Sequence, residues 1–203
     1  MASLSSLVLG THNRKKGLEL ADQLAHLGIE VRTLAELSQP SIDVVEDGDS
    51  FAENSRKKAV QQARHLKAWV IGEDSGISVD ALDGAPGIYS ARFSGEGATD
   101  ESNNQLLLEK LGDLPPQRRG AHYVCYMTLS DPQGNVRAES EGLCRGRIRK
   151  VPAGSAGFGY DPLFEVVEYH RTFGELGTTV KRILSHRARA VALMIPQLRS
   201  LMQ

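Results

Sequence analysis

Strand-like runs and helical-period segments alternate through the first third of this chain, and that order restricts the fold more than any other feature. Leu7-Val8-Leu9 is a short apolar run that fits a buried strand and breaks at Gly10. From Lys16 to Leu27 the apolar residues Leu20, Leu24 and Leu27 fall at helical spacing, Gly28 is placed to end that helix, and Ile29 to Leu34 alternates as a second strand. Ser50-Phe51-Ala52-Glu53 is a capping box that opens a helix from about Phe51 to Lys67. Trp69-Val70-Ile71-Gly72 then reads as a buried strand with Glu73-Asp74-Ser75-Gly76 at its C-terminal end, where open α/β sheets place their ligands.

The second half changes character. Asp83-Gly84-Ala85-Pro86-Gly87 is a turn-rich loop, and Asp100 to Leu111 is a helix closed by Gly112. Leu114-Pro115-Pro116 is a hard break and places a lobe boundary near residues 112–120. Tyr123, Cys125, Met127 and Leu129 have strand period, and a turn at Asp131-Pro132-Gln133-Gly134 leads to an antiparallel partner from about Val136 to Gly142. From Val180 onward Leu184, Ala188, Val191, Ile195 and Leu198 form a helical stripe, which Pro196 should kink or split. The expectation is one domain spanning residues 1–203, of the α/β (mixed α+β) class: a mixed sheet flanked by helices, an antiparallel second lobe and a central cleft.

Charge excludes several partners. With 24 basic and 25 acidic residues the chain has no global field for nucleic acid or a membrane surface, so a bound anion needs a local basic site. Two cysteines make no disulfide framework, the apolar stretch from Met1 to Leu9 is too short for a signal peptide, and no run approaches the roughly 20 apolar residues of a membrane span. The expected setting is the reducing cytoplasm.

Four groups of residues carry chemistry. Gly10-Thr11-His12-Asn13-Arg14-Lys15-Lys16 joins a strand to a helix, where backbone amides attract anions; it lacks the glycine and hydroxyl of a P-loop, and a solvated basic turn is its plainer explanation. Glu46, Glu53, Glu73 and Asp74 are hard oxygen donors of the kind magnesium takes alongside substrate phosphates, although the capping box already accounts for Glu53. Gly157-Phe158-Gly159-Tyr160-Asp161-Pro162 either stacks a planar base or is a tight turn with two anchoring aromatics. Lys181 with Ser185-His186-Arg187 either receives a carbonyl or phosphate oxygen or is solvated surface charge. Together they describe a nucleotide hydrolase.

At these residues the chain resembles the inosine triphosphate pyrophosphatase family, from Thr11 to Arg187. The resemblance lies in Thr11-x-Asn13-x-x-Lys16-x-x-Glu19, Phe51-x-Glu53-Asn54 with Lys58, Glu73-Asp74-Ser75-Gly76, Gly84 to Arg92, Gly157 to Pro162 and Ser185-His186-Arg187. It implies an elongated mixed sheet, two lobes around a deep cleft, a homodimer, and magnesium-dependent attack of water on the α-phosphate of ITP, dITP or XTP. Asp74 would be general base and metal ligand, Glu46 would complete the metal site, and Glu73 would support it. Thr11, His12, Asn13, Arg14, Lys15, Lys16 and Lys58 would hold the triphosphate, and Ser75 would touch substrate. Phe158, Gly159, Tyr160, Asp161, Lys181, His186 and Arg187 would bind the base. The chain departs from the family pattern at His12, at Thr178-Thr179-Val180 and at Pro196. The rival expectations are a pyrophosphatase for pyrimidine or methylated nucleotides and a non-catalytic nucleotide sensor. The intact acids argue against the sensor.

Overall fold

The computed structural model describes residues 4–202; Met1 to Ser3 of the leading apolar stretch, and Gln203, lie outside the described residues. The elements are β1 (Ser6–Leu9), α1 (Arg14–Leu24), β2 (Glu30–Thr33), α2 (Phe51–Leu66), β3 (Val70–Val79), α3 (Asp100–Leu111), β4 (Gly120–Ser130), β5 (Val136–Ile148), β6 (Phe164–Val166), β7 (Arg171–Thr172), α4 (Phe173–Leu184) and α5 (His186–Leu201). The strand order is β2-β1-β3-β4-β5-β6-β7. β1 pairs parallel with β2 and β3, and β6 pairs antiparallel with β5 and β7, so the sheet is mixed, as the strand and helix pattern implies.

The chain divides into two compact units, residues 1–74, 125–142 and 187–203 in one and residues 75–124 and 143–186 in the other. The Leu114-Pro115-Pro116 break lies inside the second unit. The first unit's core gathers Leu7, Leu9, Leu20, Leu24 and Ile71 with Cys125, Met127 and Leu129 of β4 and Val191, Met194 and Leu198 of α5. Ile77, Val79, Leu107, Leu111, Tyr123, Phe164 and Phe173 form the core of the second. Each fully buried aliphatic side chain contributes about 1.5–3 kcal/mol.

The predicted caps hold. Ser50 Oγ accepts from the Glu53 amide and opens α2, while the Glu53 carboxylate accepts from the Asp49 amide rather than from Ser50, so the box is half closed. Gly28, in the left-handed region at φ 71°, closes the short 3-10 extension of α1.

Three expectations need correction. β3 does not end at the acids: Ile77 and Val79 are fully buried beyond them and carry the strand on to Val79, so Glu73 and Asp74 lie mid-strand. β5 likewise runs past Gly142 to Ile148, because Cys144 and Ile148 keep the inward face apolar. The C-terminal stripe is two helices. α4 opens earlier, on a capping box between Thr172 and Glu175, is kinked at Gly177 and stops at Ser185. α5 then continues through Pro196 to Leu201 without a break. Val191, Met194 and Leu198 are buried, and their packing outweighs the one backbone donor that proline removes.

Candidate active site

Close approach of α2 to β3 builds the acidic centre of the first unit. At Gly72 a Cβ would stand 2.3 Å from the Ser55 carbonyl oxygen and 2.5 Å from the Ala59 nitrogen, so only glycine lets the helix lie directly on the strand. That contact brings Lys58 to the acids. Its Nζ donates to Asp74 Oδ1 at 2.9 Å and to Glu46 Oε2 at 3.1 Å. Asn54 Nδ2 approaches Asp74 Oδ2 at 3.4 Å, while its Oδ1 accepts from the Gly48 amide at 2.8 Å.

Burial pushes the Asp74 carboxyl above its ordinary range, against the downward pull of Lys58 and Lys16. Burial also disfavours the Lys58 ammonium, but Asp74, Glu46 and Glu73 together outweigh it and keep the lysine protonated. One ammonium is shared among several carboxylates, so each receives only part of its charge. Asp74 is therefore a buried carboxylate whose proton affinity is raised, which suits a base.

Glu73 points the other way, as adjacent strand residues must. It accepts from Arg187 Nη2 at 2.9 Å and from the Cys125 thiol at 3.4 Å, and it pairs with Lys16 at 3.3 Å. The Arg187 guanidinium is 1% exposed and also pairs with Glu19. Burial and the neighbouring Glu73 hold the Cys125 thiol well above the usual range, so it stays a donor. Surface solvation is not the state of Lys181, His186 or Arg187: all three are buried.

The Thr11 to Lys16 segment turns directly into α1, so Arg14, Lys15 and Lys16 form its first turn. Asn13 Oδ1 accepts from the Lys16 amide at 3.2 Å, Thr11 Oγ1 accepts from the Asn13 amide at 3.2 Å, and His12 Nε2 lies 3.3 Å from the Ile42 carbonyl oxygen. Three cations and no acid in a first turn oppose the helix dipole, and that arrangement favours an anion at the helix start.

In the second unit the Gly157 loop closes on Asp161. Gly157 has φ 81°, and a Cβ there would fall 2.1 Å from Asp161 Oδ2. Asp161 Oδ2 accepts from the Phe158 amide at 2.8 Å and from Lys181 Nζ at 2.7 Å, and Lys181 lies 4.2 Å from the centroid of the Phe158 ring. The Gly159 amide donates to Asp100 Oδ2 at 2.9 Å. Tyr160 is buried, with its hydroxyl donating to the Ser90 carbonyl, so Phe158 is the aromatic of this loop that stays half-buried. Ser75 is half-buried on β3.

Tyr123, Cys125 and Glu19 were not singled out as site residues by sequence reasoning. Tyr123 and Cys125 carry only the strand period, and nothing in their spacing marks a polar task. Tyr123 donates to Asp161 Oδ1 at 3.3 Å and stacks on His186 at 4.6 Å and 10°. Replacing it by phenylalanine keeps the stack and removes one donor from a buried carboxylate. Tyr123→Phe should lower unfolding free energy by about 1.5–3 kcal/mol in a urea titration, and an unchanged midpoint would show that this bond contributes nothing.

Among the described residues no three Asp, Glu, His or Cys side chains converge to hold a metal. Lys58 draws Glu46 and Asp74 together.

Residues 7–197 match the model of the Ham1 family. The chain is 56% identical over 203 residues to the dITP/XTP pyrophosphatase of Rhodopirellula baltica, covering 100% of this chain and 97% of that protein. It is 45% identical over 186 residues to the dITP/XTP pyrophosphatase of Desulfotalea psychrophila, covering 92% and 82% respectively. A Ham1 protein from Staphylococcus aureus matches with a TM-score of 0.84 and 36% identity, over 96% of this chain and 98% of that one.

Proposed function

Because this chain belongs to the Ham1 family, we propose that it hydrolyses ITP, dITP and XTP to the monophosphate and pyrophosphate, removing deaminated purines from the nucleotide pool. The observation that carries this reading is Lys58, whose ammonium joins Asp74 and Glu46 in the same unit as a helix that opens on three cations.

The reading includes a magnesium ion, and the residues fit one. The Lys58 ammonium already holds a cation's position between two carboxylates, and two carboxylates completed by phosphate oxygens and water is the usual protein share of a magnesium site. Glu46 and Asp74 would hold it, and its chemistry there is neutralisation of phosphate charge. Asp74, which burial makes more basic than an ordinary carboxylate, takes a proton from the attacking water. A bond forms from that oxygen to the α-phosphorus, the bond to the bridging oxygen breaks, and pyrophosphate leaves. Lys16, Lys58 and the opening turn of α1 stabilise the charge that develops on it.

The base falls to Phe158, Asp161, Lys181, His186 and Arg187, with donors directed at a 6-oxo group. A 6-amino group leaves such donors unpaired, which rejects ATP, and exclusion of GTP comes separately from its 2-amino group. We further assign the enzyme to the cytoplasm as a homodimer, in keeping with the family resemblance; sedimentation velocity on the pure protein checks the dimer.

Attack at the α-phosphorus requires IMP and pyrophosphate in equal amounts from ITP, with no orthophosphate. Chromatography of products across ITP, XTP, GTP, ATP and dTTP tests both chemistry and selectivity. IDP with orthophosphate would place attack at the γ-phosphate and overturn the mechanism.

A further inference from the structure

We propose that the second unit carries a separate pocket for a small phosphoryl oxyanion, built on Arg119, Arg147, Arg149 and Lys150. The pocket has a volume of about 260 Å³ and is lined by these four cations with Glu165 as the one carboxylate. That size lies near the lower end of the roughly 300–1,000 Å³ of sites for drug-sized ligands and suits a small anion such as inorganic phosphate or pyrophosphate. It shares no residue with the centre around Lys58 or with the loop around Asp161.

Charge is the reason for an anion. Glu165 is buried and already engaged by Arg147 at 2.6 Å and Arg149 at 3.8 Å. At the rim Arg149 meets Glu175 at 3.0 Å and Lys150 meets Asp113 at 4.0 Å, partly exposed pairs of the kind that water screens. Arg119 differs from the other three. It is 1% exposed, and its guanidinium donates to the carbonyl oxygens of Ile148 at 2.8 Å, Gly112 at 3.1 Å and Arg149 at 3.4 Å. None of these partners is a carboxylate. Carbonyl dipoles satisfy some of its five N–H donors without neutralising its charge, and a buried charge without a counter-ion is costly. An oxyanion in the pocket neutralises Arg119 and draws on Arg147 and Lys150 as well.

The pocket also has a sequence origin. Arg147 stands at the end of β5, Arg149 and Lys150 follow it, and Arg119 immediately precedes β4, so basic residues from two separate stretches of the chain meet at one place. Arg119 tying the turn after α3 to the end of β5 is the purely structural alternative, and it predicts no response to anions.

The test is NMR of the arginine Nε–Hε resonances in the full-length protein, titrated without divalent metal first with inorganic phosphate and then with pyrophosphate. The signals of Arg119, Arg147 and Arg149 should shift together along one saturating curve. Lys150→Gln, a change at a half-exposed side chain, should weaken that binding about tenfold, the loss of one charge-assisted hydrogen bond, while leaving ITP turnover unchanged. A response to both anions identifies a single phosphoryl group as the ligand; a response to pyrophosphate alone identifies the diphosphate. Shifts that stay linear in concentration, that chloride reproduces, or that Lys150→Gln leaves intact would overturn the proposal.

Discussion

Asp74→Asn should abolish turnover, lowering kcat by about 10²- to 10⁴-fold, without lowering the melting temperature at neutral pH. The substitution keeps the volume and removes one charge and one basic oxygen. Its effect on stability follows from burial, which raises the Asp74 pKa above that of an unfolded chain. Between those two pKa values the folded state binds more protons than the unfolded state. Stability therefore falls as pH rises through that window and stays at the lower level above it. Above that window a neutral asparagine removes this penalty, although Lys58 then relies on Glu46 and Glu73 for its counter-charge. For the wild type the same shift places an acid limb in the profile of kcat: activity declines as pH falls through the raised Asp74 pKa, because the protonated acid cannot accept a proton from water. Calorimetry and a pH–rate series on both proteins check this. A variant with near wild-type kcat would show that Asp74 is not the base. A melting temperature several degrees lower would show that its pairing with Lys58 outweighs the cost of burying it.

Arg187→Ala is expected to have the largest effect on stability, about 3–5 kcal/mol, the usual cost of removing one partner of a buried ion pair. Its guanidinium is buried between Glu73 and Glu19, and the Glu73 side chain is fully buried. Truncation leaves Glu73 its ion pair with Lys16 and the Cys125 thiol as a weak donor. Lysine should not rescue, because one ammonium cannot reproduce the two directions in which the guanidinium donates. Adding Glu73→Gln should recover part of the loss, since the neutral amide no longer needs a cation; urea unfolding of the two single variants and the double variant gives this coupling. The base-reading proposal is tested on the same protein, through kcat/KM for ITP, XTP, GTP and ATP. A loss confined to ITP and XTP supports it. A uniform loss across the four assigns Arg187 to positioning Glu73 alone.

Local features were readable without the fold. Ser50 hydrogen-bonds an amide three residues on, Gly28 and Gly112 end helical segments where they stand in the chain, and the alternation of Tyr123, Cys125, Met127 and Leu129 needs only the geometry of one strand. The acids Glu46, Glu73 and Asp74 and the cation Lys16 could also be named, because hard oxygens and point charges of those types are what phosphate chemistry requires, while Lys58 was named only through the family resemblance. Tertiary structure decided how long the elements run and whom the charges meet. β3 continues past Asp74 because Ile77 and Val79 have a core to enter, and α5 passes Pro196 because buried neighbours hold it. Arg187 finds Glu73 at a separation of 114 residues and Glu19 at 168, while Tyr123 reaches Asp161 across 38. Capping and periodicity are settled by hydrogen bonds and side-chain directions within a few residues, which any stretch of sequence displays. The choice between solvated charge and buried ion pair depends on which distant carboxylate the packed chain brings within 3 Å, and only the folded molecule determines that.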